Sequence, residues 1–501
     1  MKLSENNIKL IFGLKLKQLR QEKGLSLSEL AQKSSLSVSY LNEIENGKKN
    51  PKANKIAALA EALDVSYDRL VSVKLTKHLA SIGELLESNL LEQLPLDHYG
   101  IDVHKLLLQI SEAPLQLSAL VSTLIEMAKS LELSENNFSK TAIKTYKELN
   151  ENYFPDLEDA VSKFRKKVKF ECKPPVKYKY VMIIIEEEFN YEVDEDVLPD
   201  AQGFRTIRGI NVSNSKRKKI LINKRLTDSQ KAFILGKEMA YNFLKISDRA
   251  QIYSNLRLDS FDQLLNNLKA SYFSTALMID KQSLINDLTK FFNKKKFDEK
   301  FLLSLPDKYN VSPEMLFQRV TNVLSKHFNI NNFYFLRINS ARNSAYYSVI
   351  KEIRLNTKDN PGGYQTTEHY CRRWLSINLI KKLEELQKNK NFQSAIAGIQ
   401  KSVFINSGNE YLSIAISKHS TLLANSNYSV TLGFLLTDEL RQKVDFANDP
   451  QINRLIINDT CERCQIMDCK ERIEKPFVYE GKHQLEKLHQ ELKDIIEKES
   501  N

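Results

Sequence analysis

The first seventy residues of the chain alternate short helical patterns of apolar positions with brief polar turns. Leu27, Leu30 and Ala31 form one apolar stripe, and Leu41 and Ile44 form a second stripe further along. Residues three and four apart share one face of a helix. The pattern therefore predicts two short helices that each turn one apolar face inward.

Polar residues mark where these two helices begin and end. Ser26 precedes the first stripe and Glu29 follows three residues later, which is the spacing of a capping box. Ser37 is placed to cap the second helix, Gly47 to end it in a left-handed conformation, and Pro51 to begin a further helix. The sequence thus predicts a compact bundle of capped helices.

The rest of the chain divides into a helical stretch and a mixed region. From about Val73 to Phe170 the pattern is helical, with apolar pairs such as Leu85–Leu86, and Pro174–Pro175 breaks it. Beyond the break the pattern predicts strands at 181–185, 204–212, 219–222, 333–338, 346–355, 411–417 and 429–436, and helices at 229–243, 264–278 and 482–498.

The length and composition fit several folded domains. A chain of 501 residues is too long for one core, and 42% apolar with 27% charged residues is ordinary for globular proteins. We predict a multidomain α + α/β protein with four regions: 1–72, a five-helix domain; 73–170, a helical linker or oligomerisation domain; 171–305, a further domain; and 306–501, a mixed α+β region.

Charge and hydropathy favour a cytoplasmic protein with an anionic partner. The formal net charge of +11 favours nucleic acid, although general Lys usage explains it equally well. The densest apolar run, Val181–Ile185, is too short to cross a membrane. We expect no membrane association.

The segment from Gly24 to Gly47 resembles the lambda-repressor-like (Xre) family of helix-turn-helix domains. In that family the second helix of the pair enters the major groove. The resemblance implies contacts to double-stranded operator DNA from Ser37, Ser39, Tyr40, Asn42, Lys48 and Lys49. One departure is Leu27, which stands where many relatives carry Gln, and the operator sequence cannot be read from this chain.

The segment from Leu221 to Leu244 resembles the zinc-peptidase-like module of the ImmA/IrrE type. In that module an H-E-x-x-H helix supplies two zinc ligands and a general base. Here the matching positions are Lys237, Glu238 and Tyr241, and the downstream acidic ligand falls near Lys269. We therefore predict that residues 171–305 form a degenerate module of this type with no catalytic residues.

Four of the five cysteines suggest a metal site. Cys461, Cys464 and Cys469 are closely spaced, and Cys371 is the best candidate for a fourth ligand. Four thiolates suit either zinc or an iron–sulfur cluster, and the spacing does not decide between them. Free thiols on a loop are the remaining interpretation.

Taken together, the motifs resemble the short-chain fatty acyl-responsive regulators. They include the segment Val311–Arg319, a C-x-x-W motif at Cys371–Trp374 and C-x2-C-x4-C-x2-R ending at Arg472. The resemblance implies a CoA or short-chain acyl-CoA ligand, a 4Fe-4S cluster (zinc as the alternative) and a homodimer or homotetramer. Relatives often have Pro where this chain has Arg372. Arg372–Arg373 could contact a CoA phosphate, but we favour the interpretation that they form a solvated surface pair.

The leading hypothesis is a transcription regulator that responds to acyl-CoA and is not an enzyme. Without a Gly-rich phosphate loop the ligand-binding residues stay unassigned. The alternatives are a mobile-element repressor controlled by a protein partner and an enzyme with a DNA-binding appendage. Unchanged acyl-CoA after incubation with the protein would argue against the enzyme.

Overall fold

The computed structural model describes residues 5–72, 96, 99–102, 105–106, 135–170, 174–199, 204, 207–212, 218–253, 261–357, 359, 368–389, 392–421, 423 and 425–499. The chain forms two compact units, Met1–Ile143 with Leu258–Leu264, and Lys144–Arg257 with Leu265–Asn501. None of the described helices has the length and apolar character needed to cross a membrane.

Residues 5–72 fold into the predicted five-helix domain. Its helices are α1 (Glu5–Glu22), α2 (Leu27–Ser34), α3 (Val38–Glu45), α4 (Ala53–Ala62) and α5 (Tyr67–Val71). Their inward faces share one core that includes Leu30, Leu41, Ile44 and Leu59. Both predicted apolar stripes are therefore confirmed, although Leu27 is only partly buried at the edge of this core.

The caps of this domain follow the sequence closely. The Ser26 hydroxyl accepts a hydrogen bond from the backbone N–H of Glu29, and the Glu29 side chain accepts one from the N–H of Ser26. The Ser37 hydroxyl likewise accepts from the N–H of Tyr40. Gly47 has a φ of 64°, the left-handed conformation that glycine adopts without strain.

Helices α1 and α3 pack closely through a glycine and an ion pair. A Cβ on Gly13 would lie 2.3 Å from the Ile44 carbonyl oxygen, so only glycine permits this approach. Arg20 donates two hydrogen bonds to the buried Glu45 carboxylate, at 2.6 and 2.8 Å. This bidentate pair fixes the end of α3 against α1.

The remaining described elements include eleven helices and ten strands between residues 135 and 499. The helices are α6 (Glu135–Leu149), α7 (Pro155–Lys167), α8 (Tyr178–Phe189), α9 (Asp228–Phe243), α10 (Phe261–Met278), α11 (Lys281–Phe292), α12 (Glu299–Tyr309), α13 (Pro313–Phe328), α14 (Leu375–Leu386), α15 (Asp438–Lys443) and α16 (Phe477–Glu499). The predicted pairs between residues 85 and 107 fall outside the described residues, apart from Leu106.

The described strands form two sheets. The smaller has the order β1-β3-β2-β4 and the larger the order β10-β7-β8-β9-β5-β6. The strands are β1 (Tyr191–Asp194), β2 (Gly209–Val212), β3 (Lys218–Ile222), β4 (Ile252–Tyr253), β5 (Phe333–Ala341), β6 (Ser348–Leu355), β7 (Ile396–Phe404), β8 (Glu410–His419), β9 (Ser426–Leu435) and β10 (Arg454–Ile457). Helix α14 packs on the larger sheet against β7, β8 and β9.

The strand predicted at Val181–Ile185 is wrong, because these residues lie inside helix α8. Tyr178, Val181 and Ile185 are buried at helical spacing, and Asn190 ends the helix in a left-handed conformation. The strand predicted at 204–212 is confirmed only over Gly209–Val212. The other predicted strands and the three predicted helices are confirmed with small shifts at their ends.

Candidate functional site

Helix α3 presents an exposed surface at the positions that the sequence predicts for DNA contact. Ser37, Ser39 and Asn42 are exposed on its outer side, and Lys48 and Lys49 are exposed just beyond its end. The sixth predicted residue, Tyr40, is half-buried. Five of the six residues are therefore exposed on α3 or directly next to it.

Local contacts orient several of these side chains before any DNA is present. Lys49 Nζ lies 2.8 Å from a Glu43 carboxylate oxygen and 5.7 Å from the centre of the Tyr40 ring. The Asn42 side-chain oxygen accepts a hydrogen bond of 2.9 Å from Asn46. DNA phosphate would compete with Glu43 for the Lys49 ammonium group.

Val38 is a candidate contact that the sequence reasoning missed. It is the first residue of α3 and keeps 43% of its surface exposed. An apolar side chain at the exposed start of a recognition helix can contact the methyl group of thymine. The available signal was its position outside the apolar stripe formed by Leu41 and Ile44.

Glu238 lies on α9, in the position of the general base of a zinc peptidase, and is fully buried. One of its carboxylate oxygens accepts hydrogen bonds of 2.7 Å from Tyr191 and from Asn211. Arg249 forms an ion pair with the same oxygen, and the Tyr253 hydroxyl donates to the other oxygen. The carboxylate is therefore compensated by protein groups on both oxygens.

The residues at the zinc-ligand positions take part in other contacts. The Lys237 ammonium group donates to the Asn267 side chain and lies 5.2 Å from the centre of the Tyr253 ring. The Tyr241 ring stacks beneath the Arg249 guanidinium at 5.0 Å. Burial, reinforced by Arg208, lowers the pKa of Lys237 to about 7. Neither side chain offers the lone pair of a zinc-bound imidazole.

A group of charged side chains gathers around Glu314, in the first turn of α13. Glu314 Oε2 contacts Arg337 of β5, and Glu314 Oε1 lies 3.6 Å from Lys351 Nζ of β6. Burial alone would raise the pKa of Glu314, but Arg337, Lys351 and Arg208 outweigh it and hold the pKa at about 2. Arg337 also lies 5.0 Å from the centre of the Tyr428 ring.

Two further cations face this group. Lys147 of α6 interacts electrostatically with Lys351, and burial together with this like charge lowers the pKa of Lys147 to about 7. Lys237 interacts with both Arg208 and Lys351. We use the name cationic recess for the cluster of interacting charged side chains Lys147, Arg208, Lys237, Glu314, Arg337 and Lys351.

Three of the four predicted cysteine ligands come together. The backbone N–H of Cys371 donates to Asp459, and that of Cys461 donates to His369, at 3.0 and 2.8 Å. This pairing places Cys371 beside Cys461, and Cys371 interacts electrostatically with both Cys461 and Cys464. All three thiols are buried.

Arg472, the last residue of the cysteine motif, holds the loop in place. Its guanidinium donates to the carbonyl oxygens of Cys461, Cys464 and Ile466, at 2.7, 3.0 and 2.7 Å. Cys469 is half-buried on the same loop. Among the residues that the structure describes, no three His, Cys, Asp or Glu side chains converge closely enough to hold a metal ion.

The expectation that Arg372 lies on the surface is wrong. Only 3% of Arg372 is exposed, and its guanidinium lies 4.5 Å from the centre of the Tyr347 ring and donates to the Ala345 carbonyl. Arg373 is half-buried. Arg372 follows Cys371 directly in the chain, and both residues are buried in the same part of the fold.

The helix-turn-helix domain defines the chain as a DNA-binding protein of the transcription-regulator class. Residues 16–70 match the family model described as "Helix-turn-helix". Residues 198–321 match the model described as "IrrE N-terminal-like domain", a peptidase family. The chain thus combines a DNA-binding domain with a peptidase-like domain.

Two solved structures are similar to parts of the chain. A Mycobacterium tuberculosis transcriptional regulator has 14% identity and a TM-score of 0.46, over 67% of this chain and 93% of that chain. The restriction-modification controller protein C.AhdI from Aeromonas hydrophila has 40% identity and a TM-score of 0.12, over 12% of this chain and 94% of that chain. No curated protein matches the chain.

Proposed function

We propose that the protein is a sequence-specific transcription regulator that binds CoA or a short-chain acyl-CoA in its C-terminal half. The observation that carries this proposal is the fusion of a DNA-binding domain to a peptidase-like domain that lacks zinc ligands at Lys237 and Tyr241. A domain kept without its catalytic ligands supports a sensing role. The choice of acyl-CoA rests on the resemblance of the chain's motifs to acyl-responsive regulators.

We propose further that the peptidase-like domain is not an enzyme. Zinc catalysis needs three protein ligands and an open fourth position. A general base must also reach a water molecule, whereas Glu238 is fully buried and paired with Arg249. The prediction is that purified protein cleaves no peptide with added Zn²⁺, and that acyl-CoA is recovered unchanged. Zinc-dependent cleavage that Glu238→Gln abolishes would refute this.

The cysteine residues support a proposed metal site, with Cys371, Cys461, Cys464 and Cys469 as the thiolates that would hold it. Four soft sulfur donors suit a 4Fe-4S cluster or zinc, and the structure brings the first three together. Such a group would tie β10 and α14 to the cysteine loop, and a cluster would add sensitivity to oxidants. Their present arrangement does not enclose a metal ion.

Anaerobic purification followed by iron, sulfide and zinc analysis tests this metal site. A cluster predicts about four irons and an absorbance band near roughly 400 nm, both lost in Cys464→Ser. The matched control is Ser304→Ala, which removes an exposed hydroxyl from helix α12. Metal-free protein that still binds its operator and its ligand would contradict the metal proposal alone.

We propose that helix α16 joins two copies of the chain. Leu485, Leu488, Leu492 and Ile495 recur at the alternating spacing of a coiled coil and are between 47% and 59% exposed. A second copy is the occupant we favour, because one helix-turn-helix reads too few bases for genomic specificity and dimers read two half-sites. Leu488→Lys should lower the molar mass of the assembly measured by light scattering. Lys487→Gln, a substitution outside the apolar stripe, should leave that mass unchanged.

The sensing proposal is tested by selecting the operator from random DNA and then titrating acyl-CoAs against the complex. An acyl-CoA is expected to change operator affinity, because a ligand that binds one conformation more tightly shifts the equilibrium towards it. Equal operator affinity with and without every CoA compound would contradict the proposal. A response to a purified protein partner instead would favour the mobile-element repressor.

A further inference from the structure

We infer that the cationic recess is the binding site for a phosphate-bearing small molecule. The inference deepens the proposed function and rests on it in one respect, since acyl-CoA is the phosphate-bearing ligand that this function supplies. Six side chains from separate parts of the chain line the site: Lys147, Arg208, Lys237, Glu314, Arg337 and Lys351.

The charges in the recess do not balance among the described residues that line it. The recess holds five cations and one carboxylate, Glu314. Three of these cations, Arg337, Lys351 and Arg208, act on the carboxylate, and Arg337 contacts it directly. Glu238 lies near Lys237, but it is paired with Arg249 and compensated by hydrogen bonds. Cations held together away from bulk water repel one another. A bound polyanion would relieve this repulsion.

Two of these cations are held side by side by the sheet itself. Arg337 of β5 and Lys351 of β6 are direct cross-strand partners in the larger sheet. Like charges directly opposite each other destabilise a pair of strands. A pair of like charges that lowers the stability of the fold is typical of a functional site.

Side chains of the recess are accessible to a ligand from solvent. Lys351 keeps 38% of its side-chain surface accessible, and Arg208 is likewise partly exposed. Partial desolvation lowers the pKa of both groups. An anion that binds here would meet cations that are incompletely hydrated.

The side chains present suit phosphate groups in particular. Arginine binds phosphate oxygens through two parallel hydrogen bonds, and lysine adds a compact charge. The recess holds two arginines and three lysines from different elements, so it can contact more than one phosphate group. A diphosphate or a nucleotide-like phosphate ester therefore fits better than a single carboxylate.

Calorimetry on the full chain tests the inference with inorganic pyrophosphate, CoA and pantetheine, which lacks the phosphates. Pyrophosphate and CoA are expected to bind and pantetheine is not. Lys351→Gln and Arg208→Gln should each weaken the binding of pyrophosphate and of CoA by about tenfold or more. The matched control is Lys388→Gln, because Lys388 lies in an exposed ion pair with Glu385.

Thermal unfolding without ligand checks that each variant is folded. Lys351→Gln removes a like charge opposite Arg337, so its unfolding temperature should equal or exceed that of the unsubstituted protein. A stable variant that has lost anion affinity supports the site. Failure of both anions to bind, or unchanged affinity in the stable variant, overturns the inference.

The same variants separate this inference from the proposed function. Pyrophosphate binding that depends on Lys351, with no effect of acyl-CoA on operator affinity, would support the recess and contradict acyl-CoA sensing. An acyl-CoA effect on operator affinity that is as large in Lys351→Gln as in the unsubstituted protein would support sensing and overturn the recess as its site.

Discussion

At the scale of single residues, the exchange of zinc ligands for Lys237 and Tyr241 changes what Glu238 does. In a zinc peptidase this carboxylate activates a water molecule. Here it forms an ion pair with Arg249 and accepts hydrogen bonds from Tyr191 and other buried groups. Glu238 thereby becomes the centre of a buried hydrogen-bond network that holds β1, β2 and α9 together.

Arg249→Met is expected to destabilise the second compact unit by about 3–5 kcal/mol, because it leaves the Glu238 carboxylate buried without its ion-pair partner. Urea unfolding monitored by tyrosine fluorescence measures the change. The double variant Glu238→Gln with Arg249→Met leaves no unpaired charge. Its loss in free energy of unfolding should therefore be smaller than the sum of the losses in the two single variants. Strict additivity would contradict this account of the pair.

A second buried ion pair explains the end of the segment Val311–Arg319. Arg319 is 1% exposed and donates two hydrogen bonds to Glu158 of α7, at 2.5 and 3.1 Å. At the start of the same segment Ser312 caps α13 and Pro313 occupies its first turn. Glu314, between these two ends, lies in the cationic recess. One short motif therefore serves helix initiation, core packing and the recess.

At the scale of secondary-structure elements, we predict that α3 reads base edges while the lysines that follow it contact the DNA backbone. Asn42→Ala should weaken operator binding by about 1–3 kcal/mol and relax preference at one base pair, as expected for a side chain that reads base edges. The measurement is fluorescence anisotropy with the operator and with single-base variants of it. Equal losses on all DNA sequences would show that Asn42 contacts only phosphate.

Lys48→Ala should give the contrasting result. It is expected to weaken binding to all sequences alike and to reduce the slope of log affinity against log salt by about one. Lys482→Ala is a suitable control, since Lys482 lies on α16 in an exposed contact with Glu486. An unchanged slope of log affinity against log salt would show that Lys48 does not contact a phosphate.

The elements themselves differ in how far the sequence predicts them. The caps and stripes of α2 and α3 were predictable because each depends on residues within one turn. The run Val181–Ile185 misled because β-branched residues favour strands, whereas the burial of Tyr178 and Ile185 on one face makes the segment helical. Local preference was outweighed there by packing.

At the scale of the whole molecule, the cationic recess could not be predicted, because its residues come from parts of the chain that only the fold brings together. Lys351 and Arg337 meet through strand register, and Lys147 and Lys237 reach them from two helices. The burial of Arg372 beside the cysteines was missed for the same reason. Cys371 lies beside Cys461, and the motif resemblance links the two segments, but their role as metal ligands stays a prediction.

Anion binding in the recess should weaken as pH rises from about 6 to 8. Burial holds the pKa of Lys147 and of Lys237 at about 7, so both lose their charge over this range. Lys144, Lys351 and Glu238 are the other groups that act on these two ammonium groups. Sulfate is the suitable probe because it does not titrate here, and affinity independent of pH would contradict the prediction.

The same lowered pKa values affect stability without ligand. An unfolded lysine keeps its proton up to about pH 10.4, so between pH 7 and that value the unfolded chain binds more protons than the folded one. The free energy of unfolding contributed by Lys147 and Lys237 therefore rises with pH through this window. Below about pH 7 both are charged in each state and their burial costs stability in full.

We propose that binding of an acyl-CoA in the C-terminal half and binding of the operator are coupled in one molecule. Thermodynamic linkage requires that the factor by which acyl-CoA changes operator affinity equals the factor by which operator changes acyl-CoA affinity. The most direct test is the dissociation constant of the acyl-CoA, measured by calorimetry on the full chain with and without saturating operator. We predict a difference of about fivefold or more, and identical constants would contradict the account.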